Sequence, residues 1–190
     1  MVSLMRKSVL IIGVLLVILL VFAAIGLSNH EKSQTNTNST EIQTISQNGV
    51  VIKFPSDWIV AKAMSSDSII AITDLKSIDK GSNMGSVSVN VERRSLEEDT
   101  IDSLFNKTYS TLLSNETNEV MSLGNSTAFP EENALEADYI TDLDSEPKQH
   151  KAIWVQRNDQ VYVILCTAPA NDYINQEKYF NFILSNIRLN

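Results

Sequence analysis

The residues best spaced for chemistry are three carboxylates two positions apart, Asp142, Asp144 and Glu146, with Asp138 just upstream. Calcium binds hard oxygen ligands, and alternating acids in a loop can wrap one such ion. The glycine of an EF-hand loop is absent, and Pro147 follows at once. A solvated hairpin turn therefore accounts for the same residues.

The histidines do not extend this set. His30 lies in a polar N-terminal stretch, and His150 stands between Gln149 and Lys151 at the start of an expected strand. Neither has partners at zinc spacing or in a triad pattern, so an exposed, incidental His150 is expected. Cys166 is the single cysteine, which rules out an intrachain disulfide. It ends the apolar run Val161–Cys166 and reads as a buried structural thiol, not a nucleophile. Gly81–Ser86 is too short for a phosphate loop and lacks its lysine. Arg93 and Arg94 could clasp an anion, but Glu97 and Glu98 stand close enough to balance them. No catalytic constellation or cofactor site is assigned. Asn38, Asn106, Asn115 and Asn125 head Asn-x-Ser/Thr sequons, of which Asn115 and Asn125 lie near expected element ends.

These residues fall on a strand-rich pattern. Val50–Phe54 reads as a strand, stopped by the turn Pro55-Ser56-Asp57, with a short extended segment at Trp58–Ala61. Ser68–Asp74 is a further strand. Val87, Val89 and Val91 then alternate with Ser86, Ser88, Asn90 and Glu92, which predicts one buried sheet face and one wet or lightly covered face. Ser95, with Glu98 three residues on, reads as a capping box. The helix it opens carries Ile101, Leu104, Phe105, Tyr109, Leu112 and Leu113 at helical spacing. Strands resume at Glu119–Leu123, Thr127–Phe129, Ala134–Thr141 and Lys151–Arg157. Asn158-Asp159 is a tight turn into Gln160–Thr167. Asn171 or Asp172 caps a last helix with a stripe of Ile174, Tyr179, Phe180, Ile183, Leu184 and Ile187. The expected fold is α+β, an antiparallel sheet covered by helices.

Ahead of this domain, Val9–Leu27 is an uncharged run of 19 residues behind Arg6 and Lys7. At about 1.5 Å per residue a helix of that length spans roughly 28 Å, close to a hydrocarbon core of about 30 Å. Fifteen of the 19 are Val, Leu, Ile or Phe, which favours insertion by about 5 to 9 kcal/mol. The expected order is a cytoplasmic N-terminus at 1–8, a transmembrane anchor at 9–27, a flexible Ser/Thr/Asn/Gln-rich tether at 28–46 and one globular domain at 47–190, outside the cell membrane. Ala24 and Gly26 could supply a signal-cleavage site, in which case the domain is secreted.

The part beyond Leu27 holds 13 basic and 23 acidic residues, a net charge of −10. Such a charge argues against nucleic acid and against docking on anionic lipid, and favours cations or basic partners. Ser95–Pro147 is the extreme, with thirteen acids and Lys107 as its single base.

Gly49-Val-Val-Ile-Lys-Phe-Pro-Ser-Asp-Trp58 resembles the opening of PsbP-like domains, a strand followed by a Tyr/Phe-Pro-x-x-Trp turn. The order of elements continues the resemblance to about Leu189: a hairpin region, a mid-chain helix, a late hairpin ending in Tyr162–Ile164 and a closing helix. The resemblance implies an α/β/α sandwich shared with the Ran-binding protein Mog. In plants, PsbP is an extrinsic subunit that supports the manganese–calcium cluster of photosystem II. It also implies a binding or assembly accessory without catalysis of its own, acting on a protein partner. The alternatives are an enzyme with a dispersed acidic or metal-assisted site, and a structural envelope component. Fold analogy alone does not decide among them.

Overall fold

The computed structural model describes residues 41–62, 65–96, 99–130, 132–142 and 146–190. The predicted anchor at 9–27, and with it Asn38 and His30, lies outside them. Among the described residues no helix is long and apolar enough to cross a membrane.

The main sheet has seven antiparallel strands. They are β3 (Trp58–Ala61), β4 (Ser68–Asp74), β5 (Ser88–Ser95), β6 (Glu119–Asn125), β7 (Asn133–Thr141), β8 (Lys148–Arg157) and β9 (Gln160–Pro169), in the spatial order β3-β4-β5-β9-β8-β7-β6. A second sheet has three strands, β1 (Ile42–Gln47), β2 (Val50–Pro55) and β10 (Ile187–Leu189), with β2 in the middle. Helix α1 (Ile101–Leu112) joins β5 to β6, and α2 (Tyr173–Leu184) joins β9 to β10.

Strand alternation divides the main sheet into two cores. Val87, Val89, Val91, Ile153, Val155, Ile164 and Cys166 face α2 and the small sheet, where Ile52, Phe180, Ile183 and Leu184 meet them. Trp58 is buried in this core, edge-on to Phe180 at 6.2 Å between ring centroids. Leu135, Ala137, Tyr139, Ala152, Trp154, Val163 and Leu165 face Ile101, Phe105, Tyr109 and Leu112 of α1. Helix, sheet and second layer thus make the expected sandwich, with the small sheet as an unforeseen part of its α2 side.

Several expectations are corrected. Residues 42–46, the last part of the segment expected as a tether, belong to strand β1, which pairs with β2 through the turn Asn48-Gly49. Both turn residues have positive φ, 49° and 83°, which Asn and Gly adopt at least cost. The mid-chain helix begins at Ile101, not at Ser95. Ser95 still pairs with Gln160, and Thr100 is the cap, accepting from the Ser103 N–H at 3.2 Å. Thr127–Phe129 forms no strand but a bend, closed by the Glu132 N–H on the Phe129 carbonyl. Ile187 belongs to β10 and not to the last helix, and Ile174, placed on its apolar stripe, is 71% exposed. The face of β5 expected to be wet or lightly covered is fully closed: Ser88, Asn90 and Glu92 are all buried.

Candidate functional site

The α2 face of β7 and β8 carries the densest charged cluster. Register places Asp138 opposite Lys151, with Glu136 two residues along the same face. Lys151 Nζ donates to Glu136 Oε1 at 3.0 Å and lies 3.8 Å from Asp138 Oδ2. Ser126 donates to the other Glu136 oxygen at 3.0 Å, and Ser122 of β6 donates to Asp138 at 3.2 Å. Glu136 and Lys151 border a cleft of about 320 Å³ whose other walls are Thr127, Ala128, Ile153 and the end of α2 at Asn181, Leu184 and Ser185. Burial alone would lower the Lys151 ammonium, but its bond to Glu136 and the charge of Asp138 hold it above its ordinary value. A lysine kept protonated is a donor and a counter-ion, not a nucleophilic amine. Burial raises the Asp138 carboxyl, against the pull of Lys151.

The cleft adjoins the end strand of the sheet. β6 pairs with β7 alone among the described residues, so its other edge carries no strand. Six of its seven residues are exposed, including Met121 and Leu123, which are 54% and 46% accessible. The strand contains no lysine, arginine or proline, the residues that usually blunt a sheet edge. A register shift between Val120 and Ser122 is its only irregularity. The opposite end strand, β3, is four residues long, and the Gln43 side chain of β1 closes on its Trp58 carbonyl at 2.9 Å. One edge is short and covered; the other is long and open.

The sequence-predicted residues fall as follows. Asp142 and Glu146 are exposed in the β7–β8 connection, and Asp144 lies outside the described residues. No group of three or more His, Cys, Asp or Glu side chains among the described residues is arranged to hold a metal ion. Asn106, Asn115 and Asn125 are exposed. Cys166 is buried as expected, and burial pushes its thiol up, away from the reactive thiolate.

His150 is a correction, being buried and not exposed. Its ring stacks on Tyr139 at 4.7 Å, and its two nitrogens each lie 2.9 Å from a hydroxyl, Thr141 on one side and Thr167 on the other. Burial, helped by the charge of Lys148, pushes its pKa down to about 3. It is neutral at neutral pH and serves as a hydrogen-bonding core residue. Arg94 finds a partner on its own strand, and Glu97 and Glu98 lie outside the described residues. Arg94 pairs with Glu92 at 2.6 Å and lies over the Trp154 ring at 5.6 Å.

The residues found together here thus form an open strand edge beside a polar cleft. Sequence reasoning did not say which strand forms the edge, because strand order is not written in any local pattern. The family profile described as PsbP-like protein matches residues 8–187. The chain belongs to the PsbP-like protein family. The matched span takes in the apolar segment 9–27 as well as the globular domain. This PsbP-like chain is similar in structure to the solution structure of cyanobacterial PsbP (CyanoP) from Synechocystis sp. PCC 6803. That match has a TM-score of 0.57 and 10% identity, and covers 84% of this chain and 98% of the other. It is also similar to LpqN, a Mycobacterium tuberculosis protein involved in cell envelope biogenesis. There the TM-score is 0.50 and the identity 10%, over 78% and 90% of the two chains. At such identities the likeness shows the PsbP-like fold. No curated protein sequence matches the chain.

Proposed function

We propose that this PsbP-like protein is a membrane-tethered, extracytoplasmic binding or assembly accessory, which acts by docking a protein partner and not by catalysis. The observation that carries this reading is the open edge of β6. A row of backbone donors and acceptors flanked by exposed Met121 and Leu123 is the surface to which an extended segment adds as a further strand. The β3 edge, being short and closed, offers no equivalent. The apolar run 9–27 supports the tethering, since a chain held at a membrane meets its partners at raised effective concentration. LpqN, with the same fold, takes part in building a cell envelope, which is in keeping with an accessory role at the cell surface.

The test is site-specific photocrosslinking in native membranes, with the reactive group at Leu123 on β6 and, as control, at Lys178 on α2. A single stoichiometric adduct from Leu123 and none from Lys178 is the expected result. Equal labelling from both sites, or none from either, overturns the docking reading. Recovery of the chain in the soluble fraction without membrane disruption overturns the tethering.

A further inference from the structure

Resting on the docking role of β6, we infer that the segment it takes is an extended strand with an apolar centre and basic residues at the end that lies beside Glu119. Register sets the chemistry of each part of the edge. Glu119 stands opposite Ile140, so the start of β6 lies next to the end of β7 and the connection that follows it. Four exposed acids flank that end of the pair: Glu116 in the turn before β6, Glu119 on it, and Asp142 and Glu146 in the connection after β7, with Lys148 opposite Thr141 as the nearest base along that connection. The middle of the strand is different in kind. Met121 and Leu123 are exposed there, and Gly124 leaves open space, with no heavy atom within 4 Å of where a Cβ would stand. The far end is Asn125, uncharged.

The wider charge agrees with this polarity. Thirteen acids and one base lie between Ser95 and Pro147, the part of the chain that builds α1, β6 and β7. Glu132, Glu136 and Asp138 in this part already have Arg157 or Lys151 as partners. The four acids at the start of β6 are the ones an incoming cation would meet. A second copy of this chain fits less well, because it brings the same acid excess to the contact. An incoming strand supplies main-chain hydrogen bonds along β6 and places alternate side chains on Met121 and Leu123. Its lysines or arginines fall beside these acids, which fixes register and speeds encounter.

The probes are two synthetic peptides with the same valine-rich centre, one ending in three lysines and the other in three glutamates. Binding is measured on the full chain in nanodiscs of neutral lipid. The lysine peptide is expected to bind at least tenfold more tightly than the glutamate peptide. Its advantage should shrink as salt is raised from about 0.05 to 0.5 M, the range over which the screening length falls well below about 10 Å. Glu119→Lys should narrow the preference while leaving Tm unchanged, and Leu123→Thr should weaken both peptides about equally. Equal affinity for the two peptides, or a preference undiminished by Glu119→Lys, overturns the basic-strand proposal. Concentration-dependent dimers with β6-to-β6 crosslinks also overturn it, in favour of self-pairing. If photocrosslinking at Leu123 captures an acidic or neutral segment, the charge inference fails and the docking role stands. If neither peptide nor any native partner touches β6, the docking role fails as well.

Discussion

The indole Nε1 of Trp154 donates to the phenolic oxygen of Tyr109 at 3.1 Å, joining β8 to α1 across 45 residues of sequence. Phe105 meets the same indole edge-on at 5.8 Å, and Tyr139 lies 5.5 Å from Tyr109. This is the clasp that holds the mid-chain helix on the sheet. Tyr109→Phe keeps the ring and removes the acceptor, leaving a buried indole N–H unpaired. The expected loss is about 1–3 kcal/mol in denaturant-unfolding free energy, with a change in near-UV circular dichroism and little change in far-UV signal. An unaltered midpoint would show that the bond contributes nothing.

His150 should make the domain acid-sensitive. Its pKa is about 3 when folded against 6.5 when free. A base whose folded pKa is depressed binds fewer protons in the native state. Its contribution is therefore complete above pH 6.5 and is lost as pH falls below that value toward 3. At about pH 5 the cost is about 2 kcal/mol. Chemical denaturation at neutral pH and at that acid pH measures it. In His150→Gln the pH slope should be flatter by about this amount, whatever the variant's stability at neutral pH.

Two glycines in or beside the main sheet should respond in opposite ways. A Cβ on Gly85 would lie 1.9 Å from Thr73 Oγ1, which is itself buried and donates to the Val87 carbonyl at 2.7 Å. Gly85→Ala should destabilise by about 1–3 kcal/mol, as overpacking does. Gly124 has nothing within 4 Å of its Cβ position and no positive φ. Gly124→Ala should be neutral or gain a few tenths of a kcal/mol, roughly, from a less free unfolded chain. Paired thermal melts of the two variants check the contrast.

The Glu92–Arg94 pair should behave as a buried one. Both side chains are at least nine-tenths inaccessible, and Glu92 also accepts from Asn90 at 3.2 Å. Glu92→Ala leaves a buried guanidinium without its counter-ion, and a loss of about 3–5 kcal/mol is expected. That loss should persist at about 0.5 M salt, roughly five times the ionic strength at which an exposed pair is already screened. The double replacement Glu92→Met with Arg94→Leu should recover most of it. Failure to recover would show that the pair is needed for more than charge balance.

Short-range patterns made the element types legible. The valines of β5, the turn at Asn158-Asp159 and the spacing of Ile101, Phe105, Tyr109 and Leu112 each report a period or turn that the backbone itself imposes. The Phe54-Pro55-Ser56-Asp57-Trp58 motif carried the family. The Asn48-Gly49 hairpin was also written there, but the polar composition of Ile42–Gln47 hid the strand before it. Polarity misleads where a strand sits in a thin outer sheet and is exposed on most of its length.

What the sequence determined alone is therefore what neighbouring residues decide: strand or helix, turn chemistry, the apolar run at 9–27 and the acid excess of Ser95–Pro147. Tertiary structure decided what depends on distant pairing. It set β6 at the open end of the main sheet, so that Met121 and Leu123 face solvent. It brought Lys151 to Glu136 and Asp138 through the β7–β8 register. It buried His150 between two threonines from flanking strands, although its sequence neighbours, Gln149 and Lys151, are polar. Strand order and register are set by which faces can be buried together, a property of the whole chain that no local window contains.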